Sequence, residues 1–342
     1  MDLVDLTREL VAIPSHEDET VAGNFLTAWL REHTEASVHN DAHGNVIARK
    51  GDGETALALV GHHDVVPPDD SQVDDDGGYR LEEREAERSE ASDRASGSET
   101  TREGREAEQG EASDRASGSE TTREHRLYGR GTADMKGALA AAMLAFASAD
   151  PTDGELVFAS FAGEERGGEG CQAAIADGFA VDHAVVVEGS TGYSAPGVTD
   201  VAVAHKGRRG STIVAEGEAA HASEVDAGEN AIYRATDAVN VVRGLGFPTT
   251  DVLGHELQGS VAVTEIEGGS AWNVVPERCT VTVDERTVPG ERAALEQVTD
   301  LDGVSWTVDQ DLPPMACDDA DFADAVLSVA ADEQDADPEH VV

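Results

Sequence analysis

His62, His63 and Asp64 close the short apolar run "ALALVGHHD", and two further apolar runs end in acids: "VFASFAG" at Glu164-Glu165 and "AVVVEG" at Glu188. Another acid, Asp134, stands in "GRGTADMKG" at the start of a helical stretch. An imidazole and several carboxylates brought together repel one another unless a cation lies among them. A donor set of nitrogen and oxygen without thiolate suits a divalent metal such as zinc, cobalt or manganese. Side chains alternate along a strand, so His62 and Asp64 share a face and His63 points away. His62 is then the candidate ligand and Asp64 the group that fixes its ring. A lone histidine at a strand end is ordinarily just polar; the neighbouring Asp64 and the gathered acids favour the ligand. Of the adjacent pair Glu164 and Glu165, one could ligate while the other moves protons.

These residues need a frame. "TALALVG", "ELVFASFAG" and "HAVVVEG" read as buried strands, and "VAGNFLTAWLREH" and "DMKGALAAAMLAFASAD" read as helices. That alternation predicts an α/β domain with a doubly wound, mostly parallel sheet, in which the ends of the strands converge on one crevice. From about Lys206 the texture changes to alternating strands ("GSTIVAEG", "SVAVTEIEG", "RCTVTVDERTV") with an amphipathic helix, "NAIYRATDAVNVVRGL", and a short one, "ERAALEQV". The expected organisation is a catalytic domain over 1–206 and 311–342, with an inserted α+β domain over 207–310.

Inside the first part, Arg84–Glu103 and Arg105–Glu124 are near copies, offset by 21 residues and almost free of large apolar side chains. Such a segment cannot offset its ordering entropy, so 84–124 is expected to be a duplicated, disordered surface insertion. Removing it joins "GGYRLEE" to "HRLYGRG" as a hairpin-like connection.

The chain has 342 residues and a formal net charge of -46, with only three lysines, Lys50, Lys136 and Lys206. That charge disfavours nucleic acid and anionic membranes as partners. Acid spread along the whole chain suggests a surface kept hydrated in concentrated salt, as in a halophile. Three separated cysteines show neither a disulfide framework nor CxxC spacing. The start "MDLVDLTREL" lacks a signal peptide's basic and apolar regions, and no apolar run reaches the roughly 20 residues of a membrane span. A cytoplasmic chain is expected.

The segments "GHHDVVP", "LYGRGTADMKG", "FAGEERGGEG", "VVVEGS", "GEAAHAS" and "NVVPERCTVTVDER" occur in that order. Together they closely resemble the M20 metallopeptidases and amidohydrolases, the group of acetylornithine deacetylase, succinyl-diaminopimelate desuccinylase, acetyl-lysine deacetylase and carboxypeptidase G. The resemblance implies two divalent metal ions, zinc first among candidates. His62 would bind the first, oriented by Asp64; Asp134 would bridge both; Glu188 would complete the first site and Glu165 would bind the second. Glu164 would be the general base toward the attacking water. The inserted domain would be a lid and dimerisation domain, making the protein a homodimer. There His221 would reach the oxyanion, and Asn273 and Arg286 would contact the substrate, the guanidinium suiting a carboxylate.

The implied reaction is hydrolytic removal of an acetyl or succinyl group from an amino acid, with dipeptidase or carboxypeptidase activity as the alternative. The family also places a last metal-binding histidine near its C-terminus, beyond further strands. The segment "ADEQDADPEHVV" offers none, since His340 comes too early, so a shortened sequence is expected. A non-catalytic remnant is the reading of another class.

Overall fold

The computed structural model describes residues 2–75, 77–87 and 123–342, which fall into two compact units, Met1–Gly189 and Ser190–Val342. Most of the duplicated insertion (88–122) lies outside the described residues.

In the first unit, helices α1 (Leu3–Val11) and α2 (Thr20–His33) precede a hairpin of β1 (Ser37–Asn40) and β2 (Val46–Lys50). Strand β3 (Ala56–His62) follows, then a second hairpin of β4 (Glu82–Glu87) and β5 (Arg123–Tyr128). This is the hairpin-like connection read from the sequence, with the insertion leaving at its tip. Helix α3 (Gly137–Ser148), β6 (Glu155–Phe161), α4 (Glu169–Ala176) and β7 (His183–Val186) complete the unit.

The sheet order is β1-β2-β6-β3-β7, with β6, β3 and β7 mutually parallel and the β1–β2 and β2–β6 pairs antiparallel. The sheet is therefore mixed and not mostly parallel. The hairpin β1–β2 needs no crossover, and β2 docks against β6, which arrives about a hundred residues later and follows no local period. Helices cover both faces. Leu6, Leu10, Leu26, Trp29, Leu30, Met143 and Phe146 pack with Val46, Ala48 and Phe158 on one side. On the other side Ala174 of α4 packs with Ala159 and Phe161.

The second unit has a four-stranded antiparallel sheet in the order Ser260–Gly268, Arg278–Thr287, Gly207–Glu216, Val304–Leu312. Helix α5 (Ala231–Gly244) buries Ala231, Ala235, Ala238 and Val242 against Ile213, Ala215, Val281 and Val283 of that sheet. The expected helix at "ERAALEQV" is instead a 3₁₀ turn, Leu295–Asp300, too short to nucleate an α-helix. Helix α6 (Ala320–Asp332) follows, and His340–Val341 pairs in parallel with Val201–Ala202. None of the described helices is long and apolar enough to cross a membrane.

Candidate metal centre

The parallel strands deliver their ends to one edge of the first unit. His62 is the last residue of β3, Glu164 and Glu165 follow β6, and Glu188 follows β7. Asp134 comes from the turn Thr132–Lys136, where its backbone departs from helical values just before α3. Met135 makes that approach possible: its Sδ accepts the His62 N–H at 3.1 Å, and a Cβ on Gly61 would lie only 2.7 Å from its methyl.

The His62 ring is 2 % exposed and held from behind. Its Nδ1 faces only acceptors, the Asp64 carbonyl at 3.0 Å and Asp64 Oδ1 at 3.4 Å, so Nδ1 carries the proton. Nε2 is thereby presented forward to Glu188 Oε1 at 3.1 Å, Asp134 Oδ1 at 3.2 Å and Glu164 Oε2 at 3.8 Å. The other Asp64 oxygen accepts the Glu165 N–H at 3.0 Å, so one carboxylate holds both the histidine and the acidic loop. His63 turns the opposite way, as strand alternation requires. It is fully buried, with Nδ1 2.8 Å from Ser160 Oγ on β6.

Among the described residues, two sets of ligand atoms lie close enough to hold an ion, and both use His62: one with Asp134 and Glu188, the other with Glu164 and Glu165. The first set matches the expected ligands of one ion. In the second, the geometry groups Glu165 with His62 and Glu164, whereas the resemblance pairs it with Asp134. The donors fit a divalent cation. Glu165 Oε1 is buried without a hydrogen-bond partner, while Asp134, Glu164 and Glu188 leave 65, 53 and 44 % of their side chains exposed around Nε2. An acidic bowl with a buried imidazole at its base is what a hard or borderline cation requires.

Electrostatics agree with that reading. Burial alone would lower the pKa of His62, but Asp64 and Glu188 outweigh it and raise it to about 11, so a proton on Nε2 balances the acids when no metal is bound. Burial, reinforced by the charges of Glu188, Asp64 and Asp134, lifts Glu164 above the usual carboxylate range, and burial with Asp134 does the same for Glu165. Asp64 goes the other way: burial opposes its ionisation, but the His62 ring and the Glu165 and Glu164 amides hold it below the usual range. Burial pushes His63 down to about 4, leaving it neutral.

A proton-linkage prediction follows. The folded His62 value lies above its unfolded value, so its stabilising contribution is complete below about pH 6.5 and declines as pH rises toward 11. Zinc must displace that proton, so uptake at pH 7 is expected to release at least one proton per chain, with affinity rising with pH. Calorimetry in buffers of different ionisation enthalpy measures this, and uptake without proton release would exclude His62 as a ligand.

Lys136, absent from the expected site, lies behind the cluster and is fully buried. Its Nζ donates to Leu10 O at 3.1 Å and Ile13 O at 2.6 Å and sits 5.6 Å from the centre of the Tyr79 ring. Burial lowers its pKa to about 8, and Asp64 partly offsets that. Tyr79 Oη in turn accepts the Ser15 N–H at 3.1 Å and lies 2.6 Å from His16 Nδ1. The one hint in the sequence was a rare lysine two residues after Asp134.

The remaining expected residues belong to the second unit. His221 and Asn273 come together: Ala220–His221 pairs with Val274–Val275, and the Asn273 carbonyl accepts the Ala222 N–H at 2.9 Å. His221 Nδ1 lies 2.8 Å from Ser223 Oγ. Arg286 stands apart, near the far end of strand Arg278–Thr287, where its Nε donates to Asp284 Oδ1 at 2.8 Å.

Comparison with known proteins bears on this arrangement. Residues 203–300 match the peptidase dimerisation domain of the M20 family. The acetylornithine deacetylase of Myxococcus xanthus is 28 % identical over 258 residues, which is 72 % of this chain and 54 % of that protein. This chain carries an M20 peptidase dimerisation domain. A probable succinyl-diaminopimelate desuccinylase of Staphylococcus epidermidis is 25 % identical over 278 residues, 73 % of this chain and 58 % of that relative. The chain thus spans little more than half the length of these relatives. Among solved structures, the aminopeptidase PepT of Bacillus cereus superposes with a TM-score of 0.66 at 18 % identity, covering 99 % of this chain and 84 % of that one, a likeness of fold.

Proposed function

We propose that the chain is a metal-dependent amide hydrolase that removes an acetyl or succinyl group from the nitrogen of an amino acid. The observation that carries this reading is His62 Nε2 facing the Asp134 and Glu188 carboxylates at 3.2 and 3.1 Å, with its ring fixed by Asp64. His62, Asp134 and Glu188 would hold one divalent ion and Asp134 and Glu165 a second, with zinc, cobalt or manganese suiting these donors. Bound there, the ions would polarise the amide carbonyl and acidify the attacking water. Glu164, with its raised proton affinity, takes the proton from that water and passes it to the leaving nitrogen. His221 donates to the oxyanion, Asn273 contacts the substrate, and Arg286 pairs with its carboxylate, displacing Asp284.

About 27 Å of strand separates Arg278, at the His221 end of the sheet, from Arg286, taking about 3.4 Å per residue. His221 and Arg286 are therefore proposed to serve different copies of the site in a homodimer formed through 207–310.

Assaying the zinc-loaded chain on N-acetyl and N-succinyl amino acids beside dipeptides tests the reading. Turnover of acylated amino acids, abolished by chelation, is expected. Turnover of dipeptides alone would make it a peptidase, and a chain that binds no metal would be a non-catalytic member.

The net charge of -46 carries a further proposal, that the protein works in concentrated salt. From about 0.1 M to 1 M salt the Debye length shrinks from about 10 Å to about 3 Å, relieving self-repulsion. The melting temperature is expected to climb over that range in potassium chloride, and a flat profile would remove the argument for halophily.

A further inference from the structure

The loop bearing Glu164 and Glu165 runs from the end of β6 to the start of α4 and closes on itself. Gly167 and Gly168 donate to Glu164 O at 2.8 and 2.9 Å, and Gly168 and Glu169 donate to Gly163 O at 3.0 and 3.2 Å. These bonds set the shape of the turn without fixing where it sits above the sheet. Asn45, just before β2, holds the two ends of the loop: its Oδ1 accepts the Ala162 N–H at 3.0 Å and its Nδ2 donates to Gly170 O at 2.8 Å. Two further contacts to other elements act between those ends. One is the Asp64 carboxylate on the Glu165 amide. The other is an ion pair between Arg166 Nη1 and Glu19 Oε1 at 2.6 Å.

Glu19 is the residue before α2, a helix anchored in the core by Ala22, Leu26, Trp29 and Leu30. Its side chain is 14 % exposed, and Arg166 is its ion-pair partner among the described residues. Arg166 reaches it by folding back over Gly163, where φ is 67° and an added Cβ would meet Arg166 Nη2 at 3.1 Å. Asp64 and Glu169 also face the guanidinium, yet the close pair is with Glu19.

We propose that the Arg166–Glu19 pair is a latch that positions Glu164 and Glu165 against His62, which makes Arg166 a positioning residue for the metal centre. Its bearing on metal rests on the function proposed above; the latch itself does not. Arg166 is about half exposed, so the pair adds little to global stability. Its effect is local, on a turn whose position decides whether two carboxylates meet the imidazole.

The test uses the full chain as Arg166→Glu, Glu19→Arg and the double exchange, at one fixed salt concentration. Three quantities are read: amide exchange of residues 163–168 in the metal-free protein, zinc affinity by calorimetry, and melting temperature. Each single variant is expected to speed exchange in the loop and weaken zinc binding about tenfold, as for other supporting contacts of metal ligands. The double exchange restores both, while the melting temperature moves little. Arg166→Glu separates position from charge, because added negative charge alone would tighten zinc binding, whereas a released loop loosens it. Unchanged exchange in the single variants, or no recovery in the double, overturns the latch. If the parent chain takes up no zinc, the metal reading fails while exchange still decides the latch.

Discussion

Glu164→Gln is expected to lower amide hydrolysis by about 10²–10⁴-fold, the usual contribution of a positioned general base, while leaving zinc content unchanged. Of the two adjacent acids, Glu165 has its amide tied to Asp64 and its Oε1 buried without a partner, as suits a group awaiting a cation. Glu164 is 53 % exposed on the open side, with its Oε2 farther from His62 Nε2 than the Asp134 and Glu188 oxygens, and burial with neighbouring acids raises its proton affinity. An amide of the same shape preserves packing but accepts no proton. Steady-state rates with metal analysis on the same sample decide the matter. Activity undiminished in Glu164→Gln would remove it from the chemistry, and lost zinc would make it a ligand. Glu165→Gln should instead lose metal first.

The second large effect is on stability. Arg209→Met is expected to destabilise the second unit by about 3–5 kcal/mol, the cost of stranding one member of a buried ion pair. Glu285 is 1 % exposed and Arg209 8 %; Nε meets Oε2 at 2.5 Å, and the guanidinium lies 5.2 Å from the centre of the Trp306 ring. The pair also holds a neighbouring turn, because Arg209 donates to Ala293 O at 3.0 Å and Glu285 accepts the Ala293 N–H at 2.8 Å. Removing the arginine leaves a buried carboxylate with one amide donor. Replacing both residues, as Arg209→Met with Glu285→Leu, should cost less than the single change, since neither charge then remains to be solvated. Urea unfolding of the three proteins measures this, and a single variant within about 1 kcal/mol of the parent would place the pair in the range of surface bridges.

What could be read from the sequence was what strand geometry alone decides. The period of two separated His62 and Asp64 from His63, and apolar runs ending in acids located the edge where the carboxylates gather. The resemblance supplied the grouping of Asp134 and Glu188 with His62. Long-range pairing could not be read in this way. No local pattern says that β2 docks on β6, or that Arg166 finds Glu19 across most of the first unit. Lys136 was hidden because a buried cation is recognised by its acceptors, here Leu10 O and Ile13 O on a distant helix end. The strand Val304–Leu312 went unrecognised because Gln310 stands on the apolar phase of Val304, Trp306, Val308 and Leu312 and interrupts its alternation.

The hairpin of β4 and β5 isolates changes of length from the centre. Glu87 and Arg123 face each other across the ladder, so chain added between them enters and leaves at one point. Tyr79 and Asp134 lie on the near side of that point, and their positions are set by contacts that never pass through the tip. Doubling such a loop adds only about 0.6 kcal/mol of closure entropy. A 21-residue block could therefore be copied there almost without thermodynamic consequence, and trimming both copies to a tight turn should leave the acidic bowl as it stands.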